Sequence, residues 1–164
     1  MDLTTLNGDD TGESVRRLCC RAVQPLRRRL VNDLIQKKFI QPTDHPLHVA
    51  AVCFYPNFLD YSFKPIKQHQ KSPDVKIAAT TTGFPTGQLL KIEQQIDEIK
   101  HVLAAGSEEI DVVINRSLAL NEDWKTLYDQ ISLMRLVCKG VSLKVILEVG
   151  ELSRYDLIFK GKNV

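Results

Sequence analysis

The stretch "EEIDVVINRS", Glu108 to Ser117, decides how this chain is read. Ile110, Val112, Val113 and Ile114 form an apolar, largely β-branched run that follows Gly106, and such a run reads as a strand buried on both faces of a parallel sheet. Asp111 is the exception within it. A carboxylate placed inside is costly unless a partner or hydrogen bonds compensate, so it is paired, protonated or at work.

The neighbouring segments repeat the strand and add helices between. "KIAATTTGFPTG", from Lys76, is a strand running into a Gly/Pro loop. From Leu89 a helix follows, with Ile92, Ile96, Ile99 and Leu103 on one face and Gly106 at the C′ position. Asn121 reads as an N-cap with Glu122 and Asp123 in the first turn. Trp124, Leu127, Tyr128, Ile131, Met134 and Cys138 then make one helical stripe, read as core. "LKVIL", Leu143 to Leu147, is the next strand, and a partial helix is expected near Ser153.

Upstream, Val15, Leu18, Cys19 and Ala22 define an amphipathic helix that Pro25 ends. Leu26 to Phe39 reads as a second, strongly basic helix with Leu30, Leu34 and Ile35 on its apolar side. "VAAVCFYP" is a strand stopped by Pro56, and a short helix covers roughly Phe58 to Gln70. Strand and helix alternate strictly, which argues βαβ units and a parallel sheet with right-handed crossovers.

Composition narrows the function classes. The 164 residues, 43% hydrophobic and 26% charged, suit one ordinary soluble domain. The net charge is +2, and the cations cluster in "RRLCCRAVQPLRRRLVNDLIQKK", Arg16 to Lys38, without aromatic interleaving or a finger motif. A solvated helix is the reading, with no nucleic-acid partner. No apolar run approaches the roughly 18 residues of a membrane helix, so no membrane partner is expected. Cys19, Cys20, Cys53 and Cys138 lack C-x-x-C spacing and follow no secretory signal, which fits a cytoplasmic location. His45, His48, His69 and His101 show no metal-ligand spacing, and neither a G-x-G-x-x-G nor a P-loop occurs.

Polar residues interrupt the strands at Asp2, Thr4, Cys53, Thr80 to Thr82, Asp111 and Lys144. Asp111 and Lys144 hold equivalent places, each second in a five-residue apolar core, Ile-Asp-Val-Val-Ile and Leu-Lys-Val-Ile-Leu. On sequential parallel strands they would be neighbours of opposite charge, so Lys144 is the expected partner of Asp111. An acid and an amine held in an apolar interior have coupled protonation equilibria, which proton transfer requires. From spacing alone, an ion pair that only fixes strand register serves equally well. Cys53 alone reads as a small buried hydrophobe. Gly83 and Gly87 either let backbone approach a ligand or form a plain turn.

Five motifs in order, "MDLTTLNGDDT", "AAVCFYP", "TTGFPTG", "GSEEIDVVINRSLAL" and "LKVILEVGEL", resemble the deoxyribose-phosphate aldolases from Asp2 to about Leu152. The gap is Leu26 to His48, which looks longer than in bacterial members and closer to animal ones. The resemblance implies a (β/α)8 TIM barrel and a class I carbon–carbon lyase cleaving 2-deoxy-D-ribose 5-phosphate to glyceraldehyde 3-phosphate and acetaldehyde. It implies a lysine Schiff base with no metal or organic cofactor and a small phosphorylated sugar as partner, while a homo-oligomer is expected from open strand edges. Asp111 matches the family's proton-relay aspartate and Lys144 the lysine on the following strand that supports the site. Asp2, Thr4 and Cys53 match residues lining the substrate pocket.

Departures from the family set further expectations. The "KTSTGK"-type strand of the Schiff-base lysine, the "KPAGG"-type strand and the phosphate loops do not occur. A full barrel takes ~250 residues, so the expected architecture is a barrel truncated to about its first five βα units. Those units would occupy 1–152, with a helical insertion at 26–48 and a divergent tail at 153–164. Val149 stands where threonine is usual before Gly150-Glu151. The expectation is a chain without turnover of its own; the alternative is a non-catalytic interaction module pairing through open edges at Asp2 to Leu6 and Leu143 to Leu147.

Overall fold

The computed structural model describes residues 1–42, 47–67 and 74–163. Five strands lie in one sheet in chain order: β1 (Asp2–Thr4), β2 (Ala51–Phe54), β3 (Lys76–Thr81), β4 (Glu109–Val113) and β5 (Ser142–Ile146). β1 pairs with β2, β3 with β4 and β4 with β5, each in parallel. The helices between and after them are α1 (Gly12–Val23), α2 (Arg28–Gln36), α3 (Leu59–Lys67), α4 (Ile92–Ala104), α5 (Arg116–Leu120), α6 (Trp124–Val137) and α7 (Tyr155–Lys162). The alternation read from the sequence is therefore present, and the fold is α/β. The chain divides into two compact units, Met1–Ile77 and Ala78–Val164.

In the first unit β2 is buried along its whole length, as an apolar parallel strand must be. α1 starts at a reciprocal cap. Thr11 Oγ1 accepts from the Ser14 amide at 3.2 Å, and the Thr11 amide donates to Ser14 Oγ at 3.0 Å. Two orphan donors of the first turn are satisfied and Glu13 complements the dipole. Val15, Cys19 and Ala22 are fully buried along the inner face of α1, which packs on α3. Removing the capping oxygen by Thr11→Ala should cost about 1 kcal/mol, read as a lowered urea midpoint at unchanged slope.

α2 is shorter than the expected Leu26 to Phe39. Its N-cap, Arg27, makes no side-chain cap bond, and Lys38 leaves helical space at φ 59°, which stops the helix at Gln36. No residue of α2 is buried. A 3-10 turn at Pro56–Phe58 precedes α3; the part of the expected helix at 68–70 lies outside the described residues, as do His45 and His69. All four cysteines are free thiols. Burial pushes the Cys19 thiol up to about 12, with the neighbouring Cys20 adding to the rise.

In the second unit the buried line of α4 runs through Gln95, Ile99 and Val102, with Ile92, Ile96 and Leu103 half-buried beside it. The stripe is turned from its expected direction because Gln95 has work on the inner face. Its Nε2 donates to the Leu90 carbonyl at 3.2 Å and reaches the Gly87 carbonyl at 3.5 Å, closing the preceding loop. Gly106 ends the helix at φ 96°, a conformation suited to glycine at C′.

Asn121 is not the N-cap expected of it. It closes α5, a five-residue helix too short for periodicity to show, while Asp123 caps α6 by accepting from the Thr126 amide at 3.2 Å. α5 itself starts at Asn115, whose side chain accepts from the Ser117 amide at 3.1 Å. Of the expected α6 stripe, Leu127, Met134 and Cys138 are buried and Trp124 and Ile131 half-buried, but Tyr128 is exposed. Leu127 packs instead with Ile114, Ala119 and Leu152, and Val145, Leu147 and Ile158 press on that cluster. Leu157 and Gly161 bury the inner side of α7.

Candidate active site

Register brings three polar side chains into one row. On β3, β4 and β5 the residues opposite one another are Thr80, Asp111 and Lys144, and the row before holds Ala78, Glu109 and Ser142. Residues in register on adjacent strands share a sheet face, so these two rows line one surface. Asp111 is 6% exposed, as the apolar run around it demands.

Lys144 Nζ lies 3.2 Å from Asp111 Oδ2 and 2.8 Å from Glu109 Oε1. The lysine is thus clamped between two carboxylates two residues apart on β4. Its side chain remains 41% exposed, against 8% for Asp111 and 15% for Glu109. The pair therefore stands at a solvent boundary and not in the apolar interior first expected. Its charge reaches water while the carboxylates stay sheltered, which lowers the desolvation cost of the cluster.

Glu109 is the group the sequence reading missed. The two-residue period of a strand puts it on the face of Asp111, and that signal was available in "EEID". It was hidden because Glu109 begins β4 and reads as a surface residue ahead of the apolar run.

The other candidates belong to the first unit. Asp2 pairs with Ala51 and Thr4 with Cys53, so the four share one face of β1 and β2. Cys53 is 2% exposed, Asp2 half-buried and Thr4 exposed. Among the described residues no group of three or more His, Cys, Asp or Glu side chains is arranged to hold a metal ion. None of the described helices is long and apolar enough to cross a membrane.

Beyond the polar row, the strand exits are tied down. Thr82, a β-branched residue, sits at φ 65°, which costs roughly 1–3 kcal/mol. Three bonds hold it there. Its amide donates to Glu98 Oε2 at 2.8 Å, its Oγ1 accepts from the Val113 amide at 2.9 Å, and the same hydroxyl lies 3.1 Å from the Val113 carbonyl. The hydroxyl thus continues the β3–β4 ladder where the backbone turns away.

Gly83 and Gly87 follow at φ 75° and 67°. The close approach at Gly87 is to β4's own continuation: an added Cβ would meet the Ile114 carbonyl oxygen at 2.1 Å. Past β4 and β5, Arg116 Nε lies 3.0 Å from Glu148 Oε2, and Arg116 Nη1 lies 3.3 Å from Glu151 Oε2. The Arg116 and Glu148 side chains are both largely sheltered, and they join the start of α5 to the loop after β5.

Burial raises the Glu98 carboxyl above its ordinary range, and the Thr82 amide offsets only part of that rise. The folded state then holds more protons than the unfolded one between the ordinary value of 4.5 and the raised folded value. Stability from this group is present below that window and falls as pH rises through it. Glu98→Gln should flatten that slope, read from urea midpoints between about pH 4 and pH 7.

Comparison with known proteins places the chain in a family. The family model described as DeoC/LacD family aldolase matches residues 1–157. The chain is 38% identical over 164 residues to the deoxyribose-phosphate aldolase of Mus musculus and 37% identical to that of Bos taurus. Each match covers 100% of this chain and 49% of the relative. The chain thus spans about half the length of the curated relatives it matches. Among solved structures, the tetrameric deoxyribose phosphate aldolase of Aeropyrum pernix superposes with a TM-score of 0.66 at 24% identity, covering 99% of this chain and 56% of that one.

Proposed function

The chain belongs to the DeoC/LacD aldolase family, and from that premise we propose that it serves a deoxyribose-phosphate aldolase, a carbon–carbon lyase acting on 2-deoxy-D-ribose 5-phosphate. The observation that carries this reading is the row Thr80, Asp111 and Lys144, with the lysine bound to the aspartate at 3.2 Å. In the proposed reaction a lysine amine forms a Schiff base with the substrate carbonyl. Water leaves as the Schiff base forms. The C3 hydroxyl gives up its proton, the iminium accepts the electron pair as the carbon–carbon bond breaks, and glyceraldehyde 3-phosphate leaves. A proton is returned to the enamine carbon, and water hydrolyses the resulting imine to free acetaldehyde and the lysine amine.

Asp111 is the proposed proton relay and Lys144 its positioning and charge-balancing partner. Lys144 is not proposed as the nucleophile. An ammonium ion-paired to Asp111 and Glu109 has no lone pair with which to attack a carbonyl. Asp2, Thr4 and Cys53 are proposed to contact substrate. The reading includes a cytoplasmic location and a homo-oligomer; the Aeropyrum pernix relative is described as a tetramer.

The test uses protein isolated from its source cells with an antibody against α6. Incubation with 2-deoxy-D-ribose 5-phosphate should release acetaldehyde, and borohydride should trap an adduct on a lysine other than Lys144. An adduct on Lys144 would overturn its assigned role; a full-length form that gives neither acetaldehyde nor adduct would overturn the aldolase reading, whereas the 164-residue chain alone is expected to give neither.

A second reading, a non-catalytic interaction module, is favoured by β5. Leu143, Val145 and Ile146 are only half-buried on this end strand, whereas Ile110, Val112 and Val113 on β4 are buried. Sedimentation at micromolar concentration separates the two: a monomer with a single sharp unfolding transition would count against the module.

A further inference from the structure

Among the described residues, the basic segment is a strongly charged region that the proposed function leaves unused. Between Arg16 and Lys38 there are eight Lys and Arg side chains, all exposed, against the single acid Asp33. The remainder of the chain carries fourteen Lys and Arg against nineteen Asp and Glu. The chain is thus electrically two-sided in sequence, although its net charge is only +2.

Apolar side chains accompany the charge at α2. Val31, Leu34 and Ile35 are half-buried, while Leu30 remains 50% exposed and Phe39, just past the helix, 74% exposed. Arg27, Arg28 and Arg29 stand before this apolar strip and Lys37 and Lys38 after it. A groove of about 520 Å³ runs beside the helix, bounded by Pro25, Leu26, Arg27, Arg29, Leu30 and Asp33. Its walls join guanidinium groups to aliphatic carbon.

We propose that α2 and its flanks are a docking surface for a membrane rich in anionic lipid, headgroups meeting the five flanking cations and Leu30 and Phe39 entering the acyl boundary. A bilayer uses both halves of this surface at once, and such surface binding needs no spanning run, so the expectation of no membrane partner is corrected to no spanning segment. A protein partner fits less well: a nine-residue helix roughly 13 Å long and about 10 Å across presents a face on the order of 100–200 Å², far short of the ~800 Å² per side that a stable protein interface buries. A nucleic acid would engage the cations and leave Leu30 and Phe39 in water. This proposal stands independently of the aldolase reading, since it requires no turnover.

The test is co-sedimentation of the chain with vesicles of phosphatidylcholine alone and with about 30% phosphatidylserine, at about 0.05 M and 0.3 M salt. Binding is expected only to the anionic vesicles and should weaken as salt rises. Each neutralised cation should weaken it about fivefold, so the triple change Arg27→Gln, Arg28→Gln, Arg29→Gln should cost about a hundredfold. The pair Leu30→Ser and Phe39→Ser, which leaves charge untouched, should weaken binding about tenfold. All these positions are exposed, and an unchanged thermal unfolding curve checks each variant. No binding to anionic vesicles at low salt, or equal binding to neutral ones, would overturn the proposal. Binding indifferent to Leu30 and Phe39 and matched by polyuridylic acid would overturn it in favour of a plain polyanion site.

Discussion

Asp111→Asn, made in a full-length version that supplies the Schiff-base lysine, is expected to lower the rate of 2-deoxy-D-ribose 5-phosphate cleavage by about 10²–10⁴-fold, the range over which a positioned proton-transfer group acts. Asparagine keeps the volume and one acceptor oxygen, so packing against the buried β4 neighbours is preserved. Lys144 keeps Glu109 at 2.8 Å and is not stranded, so the fold should persist. The change removes the ability to take and return a proton from a sheltered position. Three readouts separate this from general damage. KM should move little, borohydride trapping of the Schiff base should continue, and the pH–rate profile should lose the limb that Asp111 supplies. Unchanged cleavage kinetics would leave Asp111 as a register-fixing ion pair, the alternative that spacing alone allowed.

The second large effect is expected at Gly87, in the loop between β3 and α4. Gly87→Ala imposes φ 67° on a residue with a Cβ and drives that carbon to 2.1 Å from the Ile114 carbonyl oxygen. The obstacle is backbone and cannot rotate away, so the loop or the end of β4 must shift. Strain and overpacking together should cost about 3–5 kcal/mol. Gly140 supplies the control: it sits at φ 87° with nothing within 4 Å of the point a Cβ would occupy, so Gly140→Ala carries only the conformational cost, about 1–2 kcal/mol. Equal losses at the two glycines in urea unfolding would show that the contact with Ile114 does not matter. Because Ile114 continues the strand that carries Asp111, a folded Gly87→Ala form of the full-length version should also lose cleavage rate.

Much of the architecture was legible because strands and long helices advertise themselves locally. The run around Asp111 could be read as a strand from its β-branched residues, and α4 and α6 from their period. Where the reading slipped, tertiary demands had overridden local preference. Gln95 turns inward on α4 because loop carbonyls need its amide, and Tyr128 turns outward on α6 because the core is filled by Leu127, Ile114, Ala119 and Leu152. α5 escaped notice because five residues complete barely more than one turn, leaving only the Asn115 cap as a signal.

By itself the chain's order of residues determined the α/β class, the strand that holds Asp111, the lysine that answers it and the family motifs. These follow from short-range period and from the cost of burying a charge, both written in neighbouring residues. Only the tertiary structure decided that Lys144 is shared with Glu109, that its side chain stays 41% exposed, and that Thr82 borrows Glu98 to hold its turn. Those are facts of strand register and of contacts between distant segments. A sequence names the groups available for such contacts, but the distances between them exist only once the strands are aligned.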